Sequence, residues 1–588
     1  RETTMEGRAR ESELREGDPS ETDSQARPSK SRNSGPTTWQ TKLKSLRGRR
    51  PFVDRAISAW QSQRSSFFLP RWIFLRLLGL IYLIAFVSLW TQIDGLVGST
   101  GISPAADFLQ AAEAHFEGRS FANVPTLCWL NSSDGFLHFL CGAGVVISLL
   151  LIAGILPIID LILLWILYLS LCSVCGVFLG FQWDVLLLET GFLTIFLAPA
   201  QILPRFSKEK PPSRIALFLF HWLLFRLMFM SGAVKLLATS NLAWQDLSAL
   251  AVHYETQPLP TWIGWHAHQA PLGFHKFCVL VTFGIELILP AFIFGFRRSR
   301  MVAFFPFVGL MAIIALTGNY TFFNLLTAAL CLLLLDDRFL RRFFPRRWFK
   351  MPSGAIGGTD AETENGQNKD PSDETQVQLP RWRTGLQRTQ TIAMAAVAFV
   401  IVSMSGAQEA LRLRDSFLVP YFIEGPITRY HGALRGKLGP FRSVNSYGLF
   451  ASMTTTRPEI VVEGSDDGRE WKAYEFTWKP GALDHKPGFV QPHQPRLDWQ
   501  MWFAALGDYR QNPWLINFQV RLLEGEPAVL ALIEENPFPD RPPRYIRSVL
   551  YQYNFTDGAA RESTGQWWRR ELLGLYSPPF SLEQLQRR

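Results

Sequence analysis

IALFLFHWLLFRLMFMSGAVKLLA, residues 215–238, is an apolar run that carries His221, Arg226 and Lys235. It is long enough to cross the hydrocarbon core of a membrane, which takes roughly 20 residues of helix. A charged side chain at the centre of a bilayer is costly, so each basic residue in the run needs a partner or a function. The run therefore predicts a transmembrane helix, and its basic residues are the first candidates for a functional site.

Nine apolar runs occur along the chain and predict an α-helical multi-pass membrane protein with about eight or nine transmembrane spans. The composition agrees, because 48% of the residues are hydrophobic and only 19% are charged. The runs at about 183–201, 321–335 and 389–405 are short for a span, and a re-entrant or interfacial segment is the alternative for each. The other runs lie at about 72–93, 136–156, 157–182, 215–238, 277–296 and 301–317.

The distribution of basic residues predicts which side of the membrane each loop faces. The loops after the fourth, sixth and eighth runs are rich in Arg and Lys, whereas the loops at 94–135 and 239–276 contain only Arg119 and Lys276. Since basic loops stay on the cytosolic side, the N-terminus is expected in the cytosol and the C-terminal region on the lumenal or exterior side. The net charge of +9 thus reflects membrane orientation. Nucleic acid is not an expected partner, because no nucleic-acid-binding motif accompanies the basic residues.

Residues after 410 show the signals of a soluble α+β domain. Alternating and β-branched runs between 443 and 479 are interrupted by GSDDG and KPG, which are turn signals. Residues 497–506 and 513–533 have helical patterns, and 544–555 and 566–576 return to strand patterns. The predicted organisation is a disordered polar arm at 1–66, a transmembrane bundle at 67–350, a flexible linker at 351–388, a last span at 389–409 and a lumenal α+β domain at 410–588.

Two acidic residues inside other apolar runs, Glu189 and Glu286, are candidate partners for the buried basic residues. At about 100° per helical residue, His221 and Lys235 lie about 40° apart on one face, and Arg226 faces elsewhere. The first interpretation is structural: Arg226 faces one of the acids inside the bundle, and Lys235 extends to the lumenal interface. The alternative is a polar cavity that opens to the lumen and binds a lipid or a quinone-like molecule.

The loop after this helix contains HYETQPLP at 253–260, in which His253 and Glu255 supply titratable side chains near Lys235. An enzyme acting on a lipid or isoprenoid is therefore the alternative function, with these three as its catalytic residues. A packed interfacial loop explains the same stretch without chemistry, because aromatic residues such as Trp262 favour the membrane interface. No metal or cofactor is expected, since the histidines lack the H-E-x-x-H spacing. No G-x-S-x-G nucleophile elbow occurs, so the chain is not itself an evident α/β-hydrolase lipase.

Three N-x-[ST] sequons lie on the predicted lumenal side. Asn131 and Asn554 are candidate glycosylation sites, because a sequon in an accessible lumenal loop is an acceptor. The third, Asn319, lies too near two predicted spans for easy access.

Several long stretches resemble the lipase maturation factor family. They include LLLETGFLTIFLAPA at 186–200, HYETQPLP at 253–260, VNSYGLFASMTTTRPEIVVEG at 444–464 and RLDWQMWFAAL at 496–506. The resemblance extends from about residue 70 to the end of the chain. It therefore covers nearly everything after the polar arm.

The resemblance implies a multi-pass protein of the endoplasmic reticulum membrane, or of the cell membrane in a bacterium. Members of the family help newly made dimeric secreted lipases, such as lipoprotein lipase, to fold and assemble, and their lumenal C-terminal region engages the client. The implied partners are secreted lipases, and the resemblance implies no catalytic residues. Membrane lipid is a further expected partner, because the apolar runs predict membrane spans. This chain departs from the expected pattern in one respect, because its lumenal domain contains no cysteine.

Overall fold

The computed structural model describes residues 66–237, 242–344, 381–413 and 421–586. Nearly all of the polar arm predicted at 1–66 lies outside the described residues. The same holds for the predicted linker up to residue 380.

The N-terminal part of the described chain is a bundle of helices whose apolar residues pack against one another. In chain order the main helices are α1 (Phe68–Trp90), α2 (Asp134–Ala153), α3 (Pro157–Val174), α4 (Gln182–Leu197), α5 (Arg214–Leu237), α6 (Leu272–Phe283), α7 (Arg297–Thr317), α8 (Phe323–Cys331) and α9 (Arg381–Arg412). The apolar segment that begins with α6 continues through a π turn and a 3₁₀ helix to Phe294. Short helices lie in the loops at Ile93–Val97, Ala105–Phe116, Ser120–Asn123, Ala249–Thr256, Trp262–His268 and Asp337–Leu340.

Seven helical segments of the described residues are long and apolar enough to cross a membrane, and the chain is therefore a multi-pass membrane protein. They are α1, α2, α3, α5, Leu272–Phe294, α7 and Thr389–Arg412. The short runs predicted at 183–201 and 321–335 form α4 and the apolar helix Phe323–Leu334. Both pack among longer helices, where backbone that does not span the bilayer is tolerated. The predicted eight or nine spans thus include two segments that are shorter than a full crossing.

The two ends of the bundle differ in what they contact. At one end, the Asp337 carboxylate accepts hydrogen bonds from the first backbone N–H groups of α1, at 3.2 and 2.7 Å. Arg71, in the first turn of α1, pairs there with Glu209 at 2.6 Å. At the other end, the Gln92 side chain just beyond α1 donates to the carbonyl of Gln494 at 2.8 Å. The Arg- and Lys-rich loops therefore lie at the end opposite to the C-terminal region.

Residues 421–450 lie beside and within the bundle, although the sequence patterns predicted them to belong to the soluble domain. Helix α10 (Tyr421–Leu438) packs on α9. The chain then passes between helices, so that the Phe441 ring stacks on the Trp165 ring halfway along α3, with centroids 6.4 Å apart. No strand forms between 443 and 456, because the polar groups of this stretch bond to buried side chains of the bundle.

The remainder of the C-terminal region is built on a four-stranded antiparallel sheet in the order β2–β1–β3–β4. Its elements are β1 (Arg457–Ser465), β2 (Lys472–Ala473), α11 (Arg496–Ala505), α12 (Pro513–Glu524), β3 (Tyr545–Phe555) and β4 (Trp568–Phe580), with short helices at Pro527–Leu530, Gly558–Thr564 and Leu582–Gln586. Helix α11 packs on β1 and α12 on β3, where the Gln519 amide donates to the Ser548 hydroxyl at 2.9 Å. The sheet predicted between 443 and 479 supplies β1 and β2, but the longest strands are those predicted at 544–555 and 566–576.

Candidate functional site

Arg226, in the middle of α5, is buried with 1% of its surface exposed and pairs with Glu189 of α4, which is fully buried. Nη2 of Arg226 is the nitrogen that pairs with Glu189, and Nη1 donates to the carbonyl of Asn445 at 2.7 Å. The second carboxylate oxygen of Glu189 accepts from the Asn445 backbone N–H at 2.9 Å and from the Tyr447 hydroxyl at 2.6 Å. Buried ions are tolerated when they are paired and hydrogen-bonded in this way. The pair thus holds the 441–450 segment between the helices.

The path of this segment depends on a glycine at position 448. Gly448 has a φ of +150°, and a Cβ there would lie 2.8 Å from Val234 of α5. Its backbone N–H donates to the Gln182 side chain at 3.2 Å, at the start of α4. A larger residue would have to push the segment away from α5, which explains the glycine in the VNSYG stretch. Helix α9 also reaches this region, where the Glu409 carboxylate lies 4.0 Å from Arg226.

A second buried arginine joins the C-terminal region to the bundle at the start of α4. Arg496, the first residue of α11, is fully buried and pairs with Asp184 at 3.1 Å. Its Nη1 donates to the carbonyl of Phe178 at 2.5 Å. The Tyr168 hydroxyl of α3 donates to the same Asp184 carboxylate at 2.6 Å. The RLDWQ stretch is therefore anchored on α3 and α4 by charge as well as by apolar packing.

A third buried arginine, Arg457 at the start of β1, binds the HYETQPLP loop. Its guanidinium donates to the carbonyls of Glu255 at 2.6 Å and Pro258 at 2.8 Å, and also to the carbonyl of Gln257. It pairs with Glu459 at 2.8 Å. In return, the Glu255 carboxylate accepts from the last two residues of β3, including the backbone N–H of Phe555 at 2.8 Å. The loop and the sheet are interlocked through both backbone and side chains.

Lys235 and His221 have separate partners, although helical rotation places them on one face of α5. The Lys235 ammonium donates to both carboxylate oxygens of Glu286, at 2.6 and 2.7 Å, and lies 5.0 Å from the Trp244 ring. Lys235 is only 7% exposed, so it binds inside the bundle instead of extending to the interface. The His221 Nε2 lies 3.1 Å from the carbonyl of Leu333.

The alternative function, a lipid or isoprenoid enzyme, has Lys235, His253 and Glu255 as its catalytic residues, and these three have different partners in the structure. Lys235 binds Glu286, and Glu255 binds β3. His253 lies edge-on to the Phe450 ring, with centroids 4.9 Å apart. Burial, together with the Lys235 ammonium, lowers the pKa of His253 to about 4, so its imidazole is neutral at physiological pH. Each of the three residues therefore has its own partners, and among the described residues no group of His, Cys, Asp and Glu is placed to hold a metal ion.

The two candidate glycosylation residues differ in accessibility. Asn131 is exposed, and its side-chain oxygen accepts from the backbone N–H of Ser133 at 2.9 Å. Asn554 is partly buried on β3, and its amide donates to the Glu255 carboxylate at 3.1 Å. Only Asn131 therefore presents a free amide nitrogen to solvent.

Sequence reasoning missed the residues that complete these three anchors, which are Asp184, Asn445, Tyr447, Arg457 and Arg496. Asp184 begins an apolar run, which was an available signal for a buried charge. The others belong to a region with ordinary soluble-domain composition, where an Arg or Asn does not stand out.

The anchors fall within regions of similarity to known proteins. Two family models match the chain: the lipase maturation factor transmembrane domain over residues 69–342 and the lipase maturation factor C-terminal domain over residues 443–578. The chain belongs to the lipase maturation factor family. It is 37% identical to lipase maturation factor 2 of Homo sapiens over 87% of this chain and 83% of that protein. It is 34% identical to lipase maturation factor 1 of Mus musculus over 90% of each chain. No solved structure matches it.

The three anchors each join the two matched regions of this lipase maturation factor. Glu189 and Arg226 lie in the transmembrane match, and the Asn445 and Tyr447 that bind them lie just inside the start of the C-terminal match. The C-terminal region is therefore attached to the bundle by buried charge, and the two matched regions form one interlocked structure.

Proposed function

We propose that the protein is a membrane-bound maturation factor that assists the folding and assembly of secreted lipases, without catalysis of its own. The proposal rests on the names of its relatives, lipase maturation factors 1 and 2, and on an exposed apolar edge of the C-terminal sheet. Holding a partly folded client requires an accessible surface and no reactive group. The endoplasmic reticulum membrane is the proposed location, with the N-terminus in the cytosol and the C-terminal domain in the lumen.

The orientation is supported by the separation of charge along the bundle. The loops rich in Arg and Lys lie at the end opposite to the C-terminal domain. Because basic loops remain in the cytosol, the C-terminal domain faces the lumen, where secreted proteins fold.

The proposed client-binding surface is the centre of β4. This strand forms one edge of the sheet, and among the described residues no other strand pairs with its free side. Leu572, Leu573 and Leu575 are exposed by 60%, 54% and 58%. Charged residues at 569–571 and the Pro578–Pro579 pair stand at its two ends.

An edge of this kind is unusual in a stable protein. Natural sheets protect their edges with charges and prolines, because an open apolar edge pairs with other chains. In β4 those protective residues are present at the ends and absent from the middle, so a short apolar segment remains open. A client strand that adds to this edge would form backbone hydrogen bonds, and its apolar side chains would contact the leucines.

Replacing Leu572, Leu573 and Leu575 together by Ser is expected to lower the yield of active secreted lipase at least ten-fold. Burying each leucine against a client contributes about 1.5–3 kcal/mol, and ten-fold in affinity corresponds to about 1.4 kcal/mol. The measurement is lipase activity in the medium of cells that lack their own maturation factor and express this chain with a secreted lipase.

The matched control is Leu130→Ser, because Leu130 is 80% exposed but lies in the loop before α2. It is expected to support lipase maturation as well as the unaltered chain. Protein level in the membrane is measured for both variants. If the triple variant accumulates normally and still supports full lipase activity, β4 is not the client-binding surface.

The proposed orientation makes a separate prediction about Asn131. In a host that glycosylates, the protein is expected to carry a glycan that is lost in Asn131→Gln and kept in Asn554→Gln. The reason is that the loop containing Asn131 lies at the end of the bundle that contacts the C-terminal domain, where Thr100 donates to Glu526 at 2.7 Å. A mobility shift after glycosidase treatment measures this, and an unmodified Asn131 would argue against a lumenal loop.

A further inference from the structure

A cavity of about 670 Å³ lies at the basic end of the bundle, far from the C-terminal domain. It is formed by the end of α4, the loop from 198 to 213 and the first turn of α1. This loop is held in place from two sides. The Leu156 N–H donates to the carbonyl of Ile202 at 3.0 Å, and Arg71 donates to the carbonyl of Lys210 at 2.8 Å.

The cavity carries an excess of positive charge. Its lining includes four basic residues, which are Arg71, Arg205, Lys208 and Lys210, and one acidic residue, Glu209. Glu209 is buried and pairs with Arg71 at 2.6 Å. Arg205, Lys208 and Lys210 are exposed, and none of the three forms an ion pair within the described part of the chain. The Nε of Arg71 is buried and has no hydrogen-bond partner among the described residues.

Other residues that line the cavity are apolar. They include Phe196 and Leu197 at the end of α4, together with Ile202 and Leu203. Ile202 and Leu203 are 70% and 54% exposed, so two neighbouring aliphatic side chains are open to the surroundings just before the basic residues at 205–210. Basic and apolar side chains that line one cavity at the end of transmembrane helices lie at the depth where lipid head groups meet acyl chains.

We propose that this cavity binds an anionic phospholipid, with its phosphate group between Arg205, Lys208 and Lys210 and its acyl chains along Ile202 and Leu203. The buried Glu209 is already neutralised by Arg71, so it does not repel the phosphate. Basic residues at a membrane surface attract anionic lipid, and a cavity held from two sides adds specificity to that attraction. The site is independent of the proposed client-binding surface, because β4 belongs to the C-terminal domain at the opposite end of the bundle.

The test uses the full-length protein in detergent, titrated with phosphatidylinositol or phosphatidylcholine and followed by native mass spectrometry. Phosphatidylinositol is expected to bind, and phosphatidylcholine to bind at least ten-fold more weakly. In R205Q/K208Q/K210Q the affinity for phosphatidylinositol is expected to fall about ten-fold or more. The matched control R298Q/R338Q/R342Q removes the same charge from exposed residues at the same end of the bundle, outside the cavity, and is expected to bind normally.

Two further arms keep the outcome decisive. Inositol phosphate without acyl chains is expected to compete poorly, and I202N/L203N is expected to weaken lipid binding without removing any charge. Equal losses in the two triple variants would show general surface attraction and overturn the cavity. Inositol phosphate that competes as well as the lipid would overturn the lipid as ligand. Full phosphatidylinositol binding by both cavity variants would overturn the proposal altogether.

Discussion

Replacing Arg226 by Met is expected to lower the free energy of unfolding by about 3–5 kcal/mol, because removing one partner of a buried pair leaves the other charge uncompensated. Glu189 would keep its bonds from Asn445 and Tyr447 but would lose its counter-ion. The Asn445 carbonyl would lose a donor at 2.7 Å as well. The measurement is the thermal unfolding midpoint of the full-length protein in detergent, followed by tryptophan fluorescence.

Two comparisons separate the buried pair from a general loss of charge. Arg119→Met removes an exposed arginine from a loop and is expected to leave the midpoint unchanged. Arg226→Met combined with Glu189→Leu removes both charges and is expected to recover part of the loss, since the cost of an unpaired buried ion disappears. If Arg226→Met unfolds at the same temperature as Arg119→Met, the pair does not hold the helices and the 441–450 segment together.

The sequence positions of the charged residues on α5 predicted which of them share a face of the helix, but they did not predict the partner of each residue. Rotation at 100° per residue separates Arg226 from His221 and Lys235, and the structure gives the three residues three different partners. The two acids singled out in the sequence, Glu189 and Glu286, are two of those partners. The sequence could not say which acid belongs to which base, because that depends on how α4, α5 and the segment that begins with α6 pack together.

The remaining partners of Glu189 lie far along the chain. Asn445 and Tyr447 are 256 and 258 residues away from it, so no local pattern connects them. A stretch with strand-like composition therefore becomes a segment packed inside the bundle, because its amide, hydroxyl and backbone groups satisfy a buried carboxylate. The local strand propensity of this stretch is therefore outweighed by its long-range hydrogen bonds to the buried Glu189 carboxylate.

The regular elements were predicted where their signal is periodic and local. The strands predicted at 544–555 and 566–576 correspond to β3 and β4, within a few residues at each end. Helix α10 was not predicted, because Pro426 and three glycines interrupt its pattern. It forms nevertheless, packed on α9, which is a case of tertiary contact compensating for weak helix propensity.

Replacing Arg457 by Met is expected to weaken the attachment of the C-terminal sheet to the bundle. The expected loss of stabilising free energy is about 3–5 kcal/mol, as for other buried ion pairs that lose one partner. The substitution leaves Glu459 buried without one of its cations and removes donors from three backbone carbonyls of the HYETQPLP loop. The Arg457 guanidinium also lies 5.1 Å from the Trp568 ring at the start of β4, so its loss reaches the strand proposed to bind clients. Faster hydrogen exchange is expected in 253–260 and in β1, with α1 to α3 unchanged, and lipase yield is expected to fall.

Two variants establish what this arginine contributes. Arg457→Lys keeps the charge but cannot donate to several carbonyls from one planar group, so its exchange rates are expected to lie between those of the Met variant and the unaltered protein. Arg469→Met, at an exposed position in the β1–β2 turn, is the control and is expected to change nothing. A C-terminal domain that acts independently of the bundle would show faster exchange in β1 alone and an unaltered lipase yield. If the sheet and the bundle are interlocked, exchange in the 253–260 loop and the lipase yield must both change. Arg457 binds that loop, which belongs to the bundle, and it is also the first residue of β1, whose sheet includes β4.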